Sequence, residues 1–245
     1  DGLGRWLRRT VLGLLALVLI TGFLLAKGQR KSAAAVYEFE PTTLRGVVHL
    51  SPYPHLVLER PNQAGIRNGS HTSTALLTVF GKVGAEGALK DYDGQSVRLA
   101  GSVIHRDGHV IVEVDPSTIE RLSHEDAPKI ELESDWTGHT KLSLEGEIAD
   151  SKCYLGVMKP GRGKIHKSCA IRCISGGVPP ILVLERDGPG FDFMLLVDTE
   201  GRPVGDRILE FVAEPVRVHG HPGRIGHLHV LRIDPAKIER LSARE

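Results

Sequence analysis

The sequence predicts a mainly β protein in which one N-terminal transmembrane helix precedes two tandem, small β-barrel domains. Three observations predict this fold class: an uncharged apolar run over residues 11–26, an internal repeat in the rest of the chain, and a composition rich in turn residues. The 245 residues include 28 glycines and 14 prolines but only 5% aromatic residues. Such a composition suits short strands and many turns better than a helical bundle.

The apolar run predicts a single membrane helix from about Leu7 to Lys27, because Trp6 and long basic side chains extend the span at its ends. A cleaved signal peptide is the alternative, since the small residues 33–35 offer a cleavage site. Basic residues flank both ends of the run: Arg5, Arg8, Arg9, Lys27, Arg30 and Lys31. The arginines that precede it favour an inside N-terminus. We therefore expect a single-pass protein of the bacterial cytoplasmic membrane, with the bulk of the chain on the periplasmic side.

Residues 97–126 align without a gap with residues 216–245, and both segments contain Asp-Pro followed by Ile-Glu-Arg-Leu-Ser. Leu44 and Gly46 recur as Leu144 and Gly146 at the starts of the two copies. A repeat of this length indicates a duplicated domain. The predicted divisions are an anchor over 1–31, a first repeat over 32–126, a linker over 127–139, and a second repeat over 140–245 with an insertion over 150–176. Because the chain begins at Asp1 without a methionine, we expect further residues upstream.

Each repeat shows the alternation of β-strands. Apolar residues recur with period two in 97–103 and 110–114, and Asp107-Gly108 between them is a hairpin signal. Asp115 and Asp234, which precede prolines, are predicted turn formers. The pattern V-R-L-A-G-S-V, turn, H-V-I-V-E-V resembles bacterial OB-like domains over about half of each repeat. A helix before such a barrel is similar to the periplasmic haem chaperone of cytochrome c maturation, whose haem-attaching histidine motif is absent here.

The insertion of the second repeat carries all three cysteines, with His166 and Met158 nearby. In the first repeat, the two segments that match the flanks of this insertion follow each other almost directly. We therefore expect its barrel to close without such an insertion. We therefore expect deletion of residues 151–176 to affect function more than folding. The segment S-K-C-Y-L-G-V-M-K-P-G, followed by C-A-I-R-C-I-S-G-G, resembles a motif of uncharacterised membrane-anchored bacterial proteins, a resemblance that implies no particular chemistry.

Cys153, Cys169 and Cys173 have the spacing C-x15-C-x3-C, which matches no familiar zinc ribbon. A helical turn over 166–173 places His166, Cys169 and Cys173 on one face. Thiolates and an imidazole suit a copper, zinc or iron centre. The alternatives are a disulfide from Cys153 to Cys169 or Cys173, favoured outside the cytoplasm, and inert thiols.

A second candidate metal or haem site is the histidine-rich hairpin of the second repeat, with His219, His221, His227 and His229. A turn centred on Arg224 pairs His219 with His229 and His221 with His227, all on one side. If the turn instead keeps the position that it has in the first repeat, His227 enters the turn and His229 moves to the face opposite His219. A solvated polar strand face is the alternative to any ligand role.

No Walker loop, dinucleotide-binding glycine motif, nucleophile elbow or H-E-x-x-H motif is present, so we expect no catalytic activity of the chain's own. A thiol–disulfide enzyme is disfavoured because C-x-x-C is absent. The 31 basic and 30 acidic residues nearly balance, which argues against nucleic acid as a partner. The expected function is an accessory subunit of a membrane redox or electron-transfer complex, docked on the bilayer and on other subunits. The alternative is a metal or haem carrier that uses the Cys/His cluster.

Overall fold

An apolar helix, α1 (Arg5–Arg30), begins the part of the chain that the computed structural model describes: residues 4–30, 35–59, 73–128, 130, 133–136, 140–184 and 192–242. At about 1.5 Å per residue it is about 39 Å long. Within those ranges, it is the one helix whose length and composition suffice to span a membrane. The prediction of an N-terminal apolar helix is confirmed. Residues 1–34 form one unit and residues 35–245 a second, compact unit.

The first repeat folds into a closed five-strand barrel. The strands are β1 (Ala35–Tyr37), β2 (Thr42–His49), β3 (His55–Leu58), β4 (Thr74–Val79), β5 (Val83–Gly84), β6 (Ser96–Arg106), β7 (His109–Val114) and β8 (Glu120–Arg121). The barrel follows the order β2-β3-β4-β7-β6 and returns to β2, and its pairs are antiparallel except for the parallel pair β4–β7. A short helix, α2 (Glu86–Leu89), precedes β6.

The second repeat builds a second closed barrel with the same connectivity. Its strands are β9 (Ser134–Asp135), β10 (Leu142–Asp150), β11 (Pro180–Leu184), β12 (Phe193–Asp198), β13 (Pro215–Ile225), β14 (Leu228–Ile233) and β15 (Glu239–Arg240). The barrel follows the order β10-β11-β12-β14-β13 and returns to β10, and the parallel pair is β12–β14. The insertion contributes the helix α3 (Lys167–Ser175). The predicted β-rich class with two small barrels is confirmed, whereas part of the predicted linker, 127–139, lies outside the described residues.

The two barrels repeat each other in detail. Strands over 96–106, 109–114 and 120–121 correspond in order and length to those over 215–225, 228–233 and 239–240. Asp115 accepts a hydrogen bond from the Ser117 amide (3.0 Å), and Asp234 accepts one from the Ala236 amide (3.1 Å), as predicted for turn formers. A Cβ on Gly46 would lie 2.0 Å from the Val57 carbonyl oxygen, so the first pair of strands approaches too closely for any side chain there. The equivalent Gly146 meets its neighbouring strand in the same way.

Each barrel has its own apolar core, and a third apolar cluster joins them. Strand β12 shows why: Met194 and Leu196 enter the core of the second barrel, while Phe193 and Leu195 on its other face enter the shared cluster. All six residues of β12 are buried. A strand that is buried on both faces must pack against something on each side. The outer face of β12 therefore packs in the cluster that it shares with the first repeat.

Tyr53 ties the first repeat to the second by hydrogen bonds. Its buried hydroxyl donates to the Leu196 carbonyl (2.7 Å) and accepts from the Val204 amide (3.3 Å). Replacement by phenylalanine keeps the ring but leaves both backbone groups without this partner. Because burying an unsatisfied polar group costs about 1–3 kcal/mol, we expect Tyr53→Phe to lower the free energy of unfolding by about that amount. Urea denaturation of the purified chain measures it, and an unchanged midpoint and slope would contradict this role.

Candidate metal centre

The insertion folds into three short pieces that surround Cys153. A π-type turn (Cys153–Val157) follows β10, and a 3-10 turn (Lys164–His166) leads into α3. The loop between the turns passes directly over the first one, because a Cβ on Gly161 would lie 2.3 Å from the Cys153 carbonyl oxygen. The glycine-containing segment between the two turns thus folds back over Cys153.

This fold gathers the predicted ligands of the insertion. The potential ligand atoms of Cys153, His166 and Cys169 lie within 4.8 Å of one another, and those of Asp150, Cys153 and Cys173 do so too. Cys169 and Cys173 stand one turn apart on α3, and His166 precedes the helix. Cys153, Cys173 and His166 are buried, and Cys169 is partly exposed.

The three sulfurs are free thiols whose spacing suits a shared ion. Cys153 Sγ lies 3.9 Å from Cys169 Sγ. A disulfide requires a separation of about 2.05 Å. Two thiolates at about 2.3 Å from a tetrahedral zinc ion are about 3.8 Å apart. The observed separation therefore matches a pair of ligands to one metal ion, and the disulfide stays an alternative that needs oxidation of the cluster.

Asp150, which the sequence analysis missed, orients the site. Its Oδ2 lies 2.9 Å from His166 Nε2, and its Oδ1 accepts a hydrogen bond from the Cys153 amide (2.8 Å). With Nε2 protonated and donating to this carboxylate, His166 Nδ1 carries the lone pair for a metal, as in carboxylate–histidine–metal arrangements. One feature of the sequence points to this role of Asp150: it lies at the start of the insertion, three residues before the first cysteine.

Lys82 brings a positive charge to the thiols from the first repeat. Its Nζ lies 2.6 Å from Cys169 Sγ, and this hydrogen bond raises the pKa of Lys82. Among the thiols, the hydrogen bond that Cys153 donates to Cys173 raises the pKa of Cys153, which burial raises further, and lowers the pKa of Cys173. Of these two buried thiols, Cys173 therefore loses its proton more readily than Cys153. No sequence pattern linked Lys82 to cysteines that follow it by more than 70 positions.

The histidine hairpin stays separate from this cluster. The turn lies at Gly226 and His227, since Ile225 pairs with Leu228 and Arg224 with His229. The register centred on Arg224 is therefore wrong, and the second repeat keeps the turn position of the first. His219 pairs with Glu239, and none of the four hairpin histidines belongs to a group of three potential ligands among the described residues.

His227 instead contacts the first repeat. Its ring stacks on His109, the residue after the equivalent turn, with ring centroids 5.6 Å apart. His109 also packs against Phe193, at 4.4 Å between centroids. Burial lowers the pKa of both histidines to about 4; the charge of His229 lowers both pKa values further, and that of His109 also lowers the pKa of His227. Two neutral imidazoles thus form part of the contact between the barrels.

Fold and site together define a two-barrel protein with an N-terminal apolar helix and a buried thiol–imidazole cluster at the junction of the barrels. No protein-family model, curated protein or solved structure matches this chain. The function is therefore argued from the geometry of the cluster.

Proposed function

We propose that this protein is a membrane-anchored accessory subunit that holds one thiophilic metal ion on the extracytoplasmic side of a bacterial cytoplasmic membrane. The observation that carries the proposal is a pair of overlapping groups of potential ligands that share Cys153: one adds His166 and Cys169, and the other adds Asp150 and Cys173. The ligands are Cys153, Cys169, Cys173 and His166 Nδ1, with Asp150 as the hydrogen-bond acceptor that orients the imidazole.

The donor set favours Zn²⁺ or Cu⁺ over harder ions, because thiolate and imidazole are their preferred ligands. A divalent ion with three thiolates and a neutral imidazole has a net charge of −1. Lys82 lies at hydrogen-bond distance from Cys169 and offsets this charge. Four protein ligands leave no open position for a substrate, which suits a resident centre better than hydrolytic catalysis.

The burial of the ligands distinguishes the two functions considered for this site. Cys153, Cys173 and His166 are each no more than 3% exposed. Metal release therefore requires the insertion to open, which favours a resident ion in a subunit of a larger assembly. The alternative, a metal carrier, is favoured by the partial exposure of Cys169, through which a partner's thiolate has access to the ion.

The remaining features agree with this assignment. The strand path, with its single parallel pair closing each barrel, is that expected of an OB-like domain. Helix α1 is long enough to cross a bilayer, and the arginines that precede its apolar run favour a cytoplasmic N-terminus. The complex that we expect this subunit to join is an electron-transfer complex. If the site itself carries electrons, its metal is iron or copper, because zinc has no redox chemistry.

Elemental analysis of the full chain, purified in detergent, tests the proposal together with thiol counting after denaturation. We expect about one equivalent of metal per chain and three reactive thiols without reductant. Substitution with Co²⁺ is expected to give the thiolate charge-transfer absorption of a tetrahedral site. One thiol and no metal would establish the disulfide instead, and three thiols without metal would contradict both.

The rate of transfer to a chelator then separates the two functions. A resident ion is expected to exchange over hours with a large excess of a chromogenic chelator. Transfer within seconds would favour the carrier.

A further inference from the structure

Apart from Ile165, the large exposed apolar side chains in the described part of the compact unit lie in three short segments. These are β1 with the residues that follow it, residues 80–83 at the start of β5, and the end of the π-type turn in the insertion. Phe39 is 83% exposed and Phe80 is 85% exposed, values unusual for phenylalanine in a folded domain. We name as the apolar face the exposed residues Phe39, Phe80 and Val157, which line one cavity.

The three segments meet around one open cavity of about 640 Å³. Phe39, Phe80 and Val157 form its apolar walls, with Tyr37 beside Phe39 at 4.6 Å between ring centroids. Lys159 is the charged residue of the walls that is exposed to solvent. The apolar residues therefore form one surface to which both repeats contribute.

The charged groups at the floor of this cavity satisfy one another. Lys152 Nζ donates to the carbonyl oxygens of Val79 (2.8 Å) and Gly81 (2.7 Å) and lies 3.4 Å from Glu113 Oε2. The Tyr37 hydroxyl donates to the same carboxylate at 3.1 Å. The floor thus presents no unpaired charge to a ligand, and the face offers apolar surface with a positive charge, Lys159, beside it.

We propose that the apolar face lies in the interfacial region of an anionic phospholipid bilayer. Aromatic residues with neighbouring lysines are the residue types that seat a protein at this depth, where rings contact the acyl boundary and ammonium groups meet phosphates. Lys159 supplies the exposed positive charge of the face, whereas Glu40, next to Phe39 in the chain, is an exposed negative charge, so the contact with lipid is carried mainly by the apolar side chains. The inference rests on the proposed function for its membrane anchor: only residues 31–34 separate α1 from β1 in the chain.

Fluorescence quenching in nanodiscs tests the face on the full chain. The variant Phe80→Trp is reconstituted with lipids brominated in the upper acyl chain, at 30% anionic lipid and without it, and the signal of the unsubstituted chain is subtracted. We expect a blue-shifted emission and at least a twofold loss of the added intensity in anionic discs. Lys159→Glu and Phe39→Ser, each added to Phe80→Trp, are expected to restore part of that intensity. Circular dichroism checks that each variant is folded.

Two controls make the outcomes distinguishable. Ile165→Trp places the probe at a position that is 87% exposed but does not line the cavity, and we expect no quenching there. The native Trp6, isolated as the difference from Trp6→Phe, reports separately whether α1 enters the bilayer. Quenching of Trp6 without quenching at position 80 overturns this inference alone, and quenching at neither overturns the anchor as well. A blue shift at position 80 without bromine quenching means that the ring is buried against protein rather than lipid, and this outcome also overturns the inference.

Discussion

Replacing His166 with alanine is expected to lower the metal affinity of the chain by at least two orders of magnitude. The binding free energy of a structural zinc ion is about 10–16 kcal/mol shared among four ligands, so the loss of one ligand costs about 3 kcal/mol or more. Alanine also leaves the buried Asp150 carboxylate without the partner that it contacts at 2.9 Å. Competition with a chromogenic chelator at fixed pH measures the affinity.

Asp150→Asn separates ligation from orientation. The amide keeps the size of the side chain but removes the charge that favours the required tautomer of His166, so we expect a loss of about 10–100-fold. His219→Ala is the matched control, because that histidine pairs with Glu239 outside the cluster and its loss is expected to leave affinity unchanged. Full affinity in His166→Ala would exclude the imidazole as a ligand, and equal losses in all three variants would indicate a general loss of structure.

The repeat made the fold largely predictable from the sequence. Identical turn chemistry at Asp115 and Asp234 and identical close approaches at Gly46 and Gly146 give the two barrels the same strand order. The histidine hairpin likewise has its turn at the same position as the equivalent hairpin of the first repeat. The alternative register failed because Gly226, with a φ of 55°, occupies the left-handed conformation that the turn requires, as Asp107 does with a φ of 48° at the equivalent position of the first repeat.

The pairing of the barrels was not predictable in this way. The insertion was expected to be an addition that the fold could lose, yet Tyr154 and Leu155 are buried in the cluster between the barrels and Lys152 inserts into the first repeat. These contacts join residues that are distant in sequence and carry no periodic pattern. The same reason hid Lys82 and Asp150 from the prediction of the site, because local spacing identified the cysteines and His166 but not their neighbours in space.

The free energy of unfolding of the metal-free protein is expected to fall steeply as the pH decreases from 7 to 4. Burial lowers the pKa of His55, His109 and His227 to about 4, below their value of about 6.5 in an unfolded chain. Between these two values the unfolded state binds more protons than the folded state, so stability decreases as pH falls through this window. Each histidine contributes up to about 3 kcal/mol, which together approaches the whole stability of a domain.

The contact between His109 and His227 makes this prediction specific. Nδ1 of both rings and Nε2 of His227 are buried without a hydrogen-bond partner among the described residues, so protonation places charge where nothing compensates it. The charge of His229 opposes protonation of both rings, and Arg224 in turn lowers the pKa of His229. Arg106, Asp107 and Asp192 are the other charged groups near the first-repeat turn. Urea denaturation at pH 7, 6 and 5 measures how the free energy of unfolding depends on pH.

His227→Gln removes one titrating group and is expected to reduce the slope of the free energy of unfolding against pH by about 1.4 kcal/mol per pH unit. His221→Gln, at an exposed position of the same hairpin, is expected to leave the slope unchanged, and an equal slope in both variants would show that the His227 ring does not set the acid stability of the barrel contact.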